Sequence, residues 1–171
     1  MTIVRVLHVS HQYPPAIGGS ELYIAQLSEE LARRGHTVDV FTSRATDYRS
    51  WRAALPAFEI VNGVNVHRFR AIPRTPRTWR VMIRGYEGVR RQPPALLDRL
   101  YQTMIWLFGG PVMPGMIRAL RQRAATYDLI HVNNLHYSHG RPAAWAARRA
   151  GRPLVVTPHI EVVVWVTSQW R

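Results

Sequence analysis

The chain contains no cysteine and no lysine. The first absence excludes disulfides and thiolate metal sites, and it fits a reducing compartment, so a cytoplasmic location is expected. The second excludes a Walker-type phosphate loop, which needs its lysine. Acids are scarce as well. Ten of them face 23 basic residues, every one arginine, for a net charge of +13. Such an excess favours phosphate-bearing partners: nucleotides, anionic lipid head groups or nucleic acid. It says nothing about fold. Long apolar runs are missing too. The opening MTIVRVLHVS is short and holds Arg5, so it reads as neither a signal peptide nor a membrane span. No internal repeat or low-complexity tract is present. What remains is 171 residues, 47% of them apolar, enough for one domain with a real core.

The apolar residues fall into an alternating order of strands and helices. Ile3, Val4, Val6, Leu7 and Val9 form a near-continuous run, as in a strand buried on both faces of a parallel sheet. HQYPPAIGG then breaks regular structure with two prolines and two glycines. SELYIAQLSEELARRG reads as a helix capped by Ser20, with Ile24, Leu27 and Leu31 on its inner face. Glu29 with Arg33 and Glu30 with Arg34 are spaced for ion pairs on the outer face, and Gly35 suits a left-handed helix end. TVDVFT completes a βαβ unit.

Residues 45–56 read as irregular or partly helical. FEIV and VNVHRF flank Asn62-Gly63, a strong hairpin signal. Residues 71–94 are rich in proline and arginine without a period. Helices are expected over 95–108 and 115–125. DLIHVNN then reads as a strand, HGRPAAWAARRAG as a helix with Pro142 in its first turn, and RPLVVTPH as another strand. IEVVVWVTSQWR is apolar and carries no turn or capping signal after it. The alternation predicts an α/β, Rossmann-like, doubly wound and mostly parallel sheet flanked by helices.

In such sheets ligands bind beyond the carboxyl ends of the strands. Three loops leave those ends: residues 11–19, residues 133–140, and the chain from Thr157 onward. Gly18 and Gly19 stand directly before a helix. They suit either a tight strand-to-helix turn or a phosphate held on the helix N-terminus, where N–H groups lack partners. A nicotinamide site fits poorly. It wants G-x-G-x-x-G and an acid at the end of the second strand, and this chain offers adjacent glycines and Phe41, Thr42 and Ser43.

Pro14, Pro15, Gly18, Gly19 and Glu21, then Arg34, Gly35, His36, Val38 and Val40, together resemble the opening of family-four glycosyltransferases. EIVNGVNVHRF, DLIHVNN and RPLVVTPH resemble later strands of that family, so the likeness runs from Ile3 to His159. The resemblance implies one half of a GT-B fold, with two Rossmann-like domains across a cleft. It implies transfer of a sugar from a nucleotide-diphosphate sugar, the co-substrate, to an acceptor sugar, lipid or small molecule. The anomeric configuration is retained, and no metal or other cofactor is needed. Gly18 and Gly19 would bring backbone N–H groups to the donor diphosphate. His159 would contact a sugar hydroxyl as the catalytic-site residue. Glu21 belongs to the motif and either lines the acceptor side or stabilises the helix start. The family's glutamate pair belongs to a C-terminal donor domain that these residues do not include. Residues 1–171 therefore read as the acceptor-side N-terminal domain, incomplete at its C-terminus and inactive alone.

His131, His136 and His139 lie close in sequence, but a zinc site is disfavoured. There is no cysteine, no carboxylate lies between Asp128 and Glu161, and the three do not share a helix face. Asn133, His136, Tyr137 and His139 are expected to line the acceptor side. His8 and His67 carry no special signal. Arg74, Arg77, Arg80, Arg84, Arg90 and Arg91, interleaved with Trp79 and Tyr86, suit either a solvated loop or peripheral contact with an anionic membrane. Specific nucleic-acid binding is not expected, because no helix-turn-helix or RNA-binding signature accompanies the charge. The alternatives to an enzyme half are a non-catalytic binding module of the same fold and a basic membrane- or nucleic-acid-binding domain.

Overall fold

Strand β1 (Arg5–Val9) lies inside the sheet, with side chains buried on both faces. The computed structural model describes residues 2–47, 50–72, 111–134 and 137–159. The helix expected over 95–108, the arginine-aromatic stretch 74–91, His136 and the segment 160–171 lie outside the described residues. After β1 come α1 (Gly19–Arg33), β2 (Thr37–Ser43), β3 (Phe58–Val61) and β4 (Val64–Phe69). Next are α2 (Pro114–Arg123), a short 3-10 turn (Ala124–Thr126), β5 (Leu129–Asn133), α3 (Gly140–Ala150) and β6 (Leu154–Thr157). The sheet order is β3-β4-β2-β1-β5-β6. Every pairing is parallel except the β3–β4 hairpin at one edge.

The two faces of the sheet bury different clusters. Leu7, Val9, Phe41, Ile130 and Val132 point to the side covered by α2 and α3, where Met116, Leu120, Ala143, Ala146 and Ala147 meet them. Val38, Val40, Val64 and Val66 point to the other side, where Ile24 and Ala25 of α1 are buried with Leu27 and Leu31 packed beside them. Each fully buried aliphatic side chain contributes about 1.5–3 kcal/mol. Helices on both faces make this a doubly wound, Rossmann-like sheet. The chain leaves β1 toward α1 on one face and β5 toward α3 on the other. The gap between β1 and β5 is therefore the topological switch point.

Local chemistry explains the boundaries. The hairpin turns at Asn62 and Gly63, both at positive φ, as its two-residue loop requires. Helix α1 ends in a Schellman motif: the Gly35 N–H donates to Ala32 O and the His36 N–H to Leu31 O, with Gly35 at φ +88. Two expectations need correction. Ser20 does not cap α1. The helix starts at Gly19 with Gly18 at the cap position, and no side chain caps it. Glu30 takes both Arg33 and Arg34, whereas Glu29 accepts from the Asn62 side chain at 3.0 Å, because the hairpin turn lies beside α1. No helix among the described residues is long and apolar enough to cross a membrane.

Candidate active site at the β1–β5 switch point

Asn133, the last residue of β5, is fully buried at this gap and ties three chain segments together. Its Nδ2 donates to the Ser20 carbonyl in α1 at 3.1 Å and to Ser10 Oγ after β1 at 3.4 Å. A carbonyl can only accept, so this end of the amide must be the nitrogen. Asn133 Oδ1 then faces His159 Nε2 at 2.8 Å. It can only accept as well, so His159 donates its Nε2–H to it. Asn134, at φ +71, is in a backbone region asparagine tolerates; its Nδ2 donates to Ser20 Oγ at 3.1 Å and its N–H to Thr157 O at 3.0 Å.

The loop after β1 brings a second group. His11 and Glu21 are both buried, with His11 Nε2 3.2 Å from Glu21 Oε1, and Ser20 Oγ donates to Glu21 Oε2 at 3.1 Å. Burial pushes the His11 imidazole below its ordinary value, although Glu21 acts the other way. In its neutral form His11 can donate Nε2–H to the carboxylate. Tyr137 stacks on His11 with ring centroids 3.9 Å apart, and His139 lies nearly parallel at 6.0 Å. His139 donates Nε2–H to the Asn133 carbonyl at 2.9 Å. Its burial holds the ring neutral, with a pKa pushed down to about 3.

The Pro-rich loop is pinned from β4. The buried Arg68 guanidinium donates to the Pro14 carbonyl and pairs with Glu59 of β3. That anchor leaves Gly18 and Gly19 at the mouth of the gap. A Cβ added at Gly19 would meet no atom within 4 Å, so open space lies over the uncapped helix end. Tyr23, one turn into α1, packs edge-on against His159 with centroids 5.1 Å apart.

Of the residues singled out in the sequence, Gly18, Gly19, Glu21, Asn133, Tyr137, His139 and His159 converge on this gap, and His136 lies outside the described residues. Ser10, His11, Tyr23 and Asn134 were not singled out. Ser10 and Asn134 had a usable signal: each directly follows a parallel strand, and His11 comes one residue later. His8 was read as carrying no special signal, yet it is buried with Nδ1 2.9 Å from His131 Nδ1. His131 in turn reaches Thr157 Oγ1 at 2.8 Å through Nε2. Nothing local marks that contact, because its partners are 123 residues apart. His67 likewise lies 3.4 Å from the buried Asp39 carboxylate.

A doubly wound α/β domain with polar strand-end loops gathered at its switch point is a Rossmann-like unit. The chain belongs to the glycosyl transferase 4-like domain family, which matches residues 18–171. A D-inositol 3-phosphate glycosyltransferase of Nocardiopsis dassonvillei is 32% identical to it over 158 residues, covering 90% of this chain and 30% of that protein. The protein of the same name from Thermobifida fusca is 31% identical over 158 residues, 90% of this chain and 29% of its own length. An uncharacterised glycosyltransferase of Methanocaldococcus jannaschii is 41% identical over 70 residues, which are 40% of this chain and 16% of that one. The chain thus spans about 30% of the length of the first two relatives.

Proposed function

We propose that this domain is the acceptor-side half of a glycosyltransferase that takes its sugar from a nucleotide-diphosphate sugar and transfers it with retention. A donor-binding domain closes over the β1–β5 gap, and no metal is used. The observation that carries this reading is the uncapped N-terminus of α1, which opens at Gly19 into open space beside the Asn133–His159 pair. The N–H groups at a helix N-terminus and the positive end of its dipole favour the negative charge that grows on a departing diphosphate. His159, oriented by Asn133 and Tyr23, supplies a polar contact for a sugar hydroxyl. Glu21, Tyr137 and His139 shape the acceptor side through His11 and Asn133. The names of the relatives support a phosphorylated polyol as acceptor, a class that an arginine-rich chain suits.

The test is a titration of the isotope-labelled chain with a nucleoside diphosphate, followed by NMR. Amide shifts confined to residues 18–21, and lost in Gly19→Val without loss of helical circular dichroism, are expected. Shifts scattered over surface arginines and unchanged by Gly19→Val would remove the phosphate site from α1.

A further inference from the structure

On the sheet face opposite α1, α2 and α3 pack against each other and turn a shared outer surface to solvent. The residues that point inward are apolar: Met116, Leu120, Ala143, Ala146 and Ala147. Those that point outward include Arg118 and Arg121 on α2, and Trp145, Arg148 and Arg149 on α3, all exposed. Neither helix contains an acid. From Pro111 to His159 there are seven arginines and one carboxylate, Asp128, whose Oδ2 accepts the Arg5 N–H at 2.8 Å. Trp145 stands in the middle of this surface with 46% of its area exposed. The Arg121 guanidinium of α2 lies 5.2 Å from its ring centroid and that of Arg149, one turn along α3, lies 5.6 Å away.

We propose that this α2–α3 face docks the domain on an anionic membrane surface. Charge complementarity is the first argument, because an acid-free field of arginines on two adjacent helices matches a sheet of anionic head groups. The second is the form in which the aromatic is presented. An indole with two guanidiniums beside it presents an apolar body with a cationic rim. That suits the head-group layer, where tryptophan sits with an apolar body and a polar rim. Nucleic acid is the poorer match, because no helix-turn-helix or RNA-binding signature accompanies the charge. Docking leaves the α1 face and the strand-end gap clear of the bilayer, so the surface works independently of the site proposed above.

The experiment is flotation of the full chain with vesicles of phosphatidylcholine alone or mixed with phosphatidylglycerol. Binding to the mixed vesicles only, weakened when salt rises well above about 0.1 M, is expected. The triple variant Arg118→Gln, Arg121→Gln, Arg149→Gln should bind about a hundredfold more weakly, at about fivefold per arginine. Its circular dichroism and urea midpoint should be unchanged, since these side chains lie on the surface. Trp145→Ala should weaken the binding that survives at high salt. The proposal is overturned if the triple variant floats like the parent. It is equally overturned if neutralising Arg74, Arg77, Arg80 and Arg84 abolishes flotation while the triple variant retains it, or if the chain leaves mixed vesicles for duplex DNA at equal phosphate concentration.

Discussion

At the scale of single residues, the amide of Asn133 carries most of the burden. Replacing it by alanine strands the Ser20 carbonyl and the His159 Nε2–H around a hole. A cost of about 1–3 kcal/mol is expected, read as a lower urea midpoint. Asn133→Asp should be no milder, because a carboxylate oxygen would face the Ser20 carbonyl where a donor is needed. Gly19 behaves oppositely. Its backbone is not in the left-handed region and a Cβ enters open space, so Gly19→Val should leave stability nearly unchanged. In a polypeptide that joins this domain to a donor-binding domain, the same change should abolish turnover. There His159→Ala should lower kcat more than it weakens nucleotide binding. Equal losses would mean that His159 does not reach the sugar.

Among the elements, glycine at the end of α1 is required for a different reason. Gly35 sits at φ +88 with nothing near its Cβ position, so Gly35→Ala costs backbone strain alone. About 1 kcal/mol is expected, with α1 fraying first in amide exchange. This motif was legible in the sequence, as were the hairpin at Asn62-Gly63 and the helical spacing of Ile24, Leu27 and Leu31. All depend on residues a few positions apart. The cap of α1 was misplaced by two residues because Ser20 is a good cap in isolation. In the folded chain its hydroxyl is committed to Glu21 and Asn134, and Gly18 takes the cap position. The Glu29–Arg33 pair failed for a similar reason: the hairpin supplies Asn62, which the helix pattern cannot show.

For the whole molecule, buried ionisable groups set the response to acid. His8 and His139 both have folded pKa values pushed down to about 3, by burial first and then by a neighbouring histidine. The unfolded chain binds protons at the ordinary histidine value, so below it the unfolded state takes up protons that the folded state refuses. Their contribution is complete above about pH 6.5 and is lost as pH falls, at about 1.4 kcal/mol per pH unit for each. Denaturant stability should therefore fall steeply from neutrality to about pH 5. His139→Gln keeps a donor for the Asn133 carbonyl and cannot titrate, so it should flatten that slope by one histidine. Asp39 enters only at lower pH. Burial opposes its charge, but His67 and the Arg5 guanidinium beside it hold its carboxyl below the usual range, so its contribution disappears as pH drops below ordinary carboxylate values. None of these groupings was readable in advance, for they arise where strands distant in sequence become neighbours. The strand-end loops were readable, because a parallel sheet fixes which ends of its strands gather.

The three-way attachment of Asn133 has a further consequence. Ser20, His159 and His139 share one residue, so a ligand that firms the start of α1 reduces the freedom left to His159, and a ligand on His159 does the same for α1. If ligands bind at both ends of the gap, their affinities are linked by a single coupling free energy, and each changes the other's affinity by the same factor.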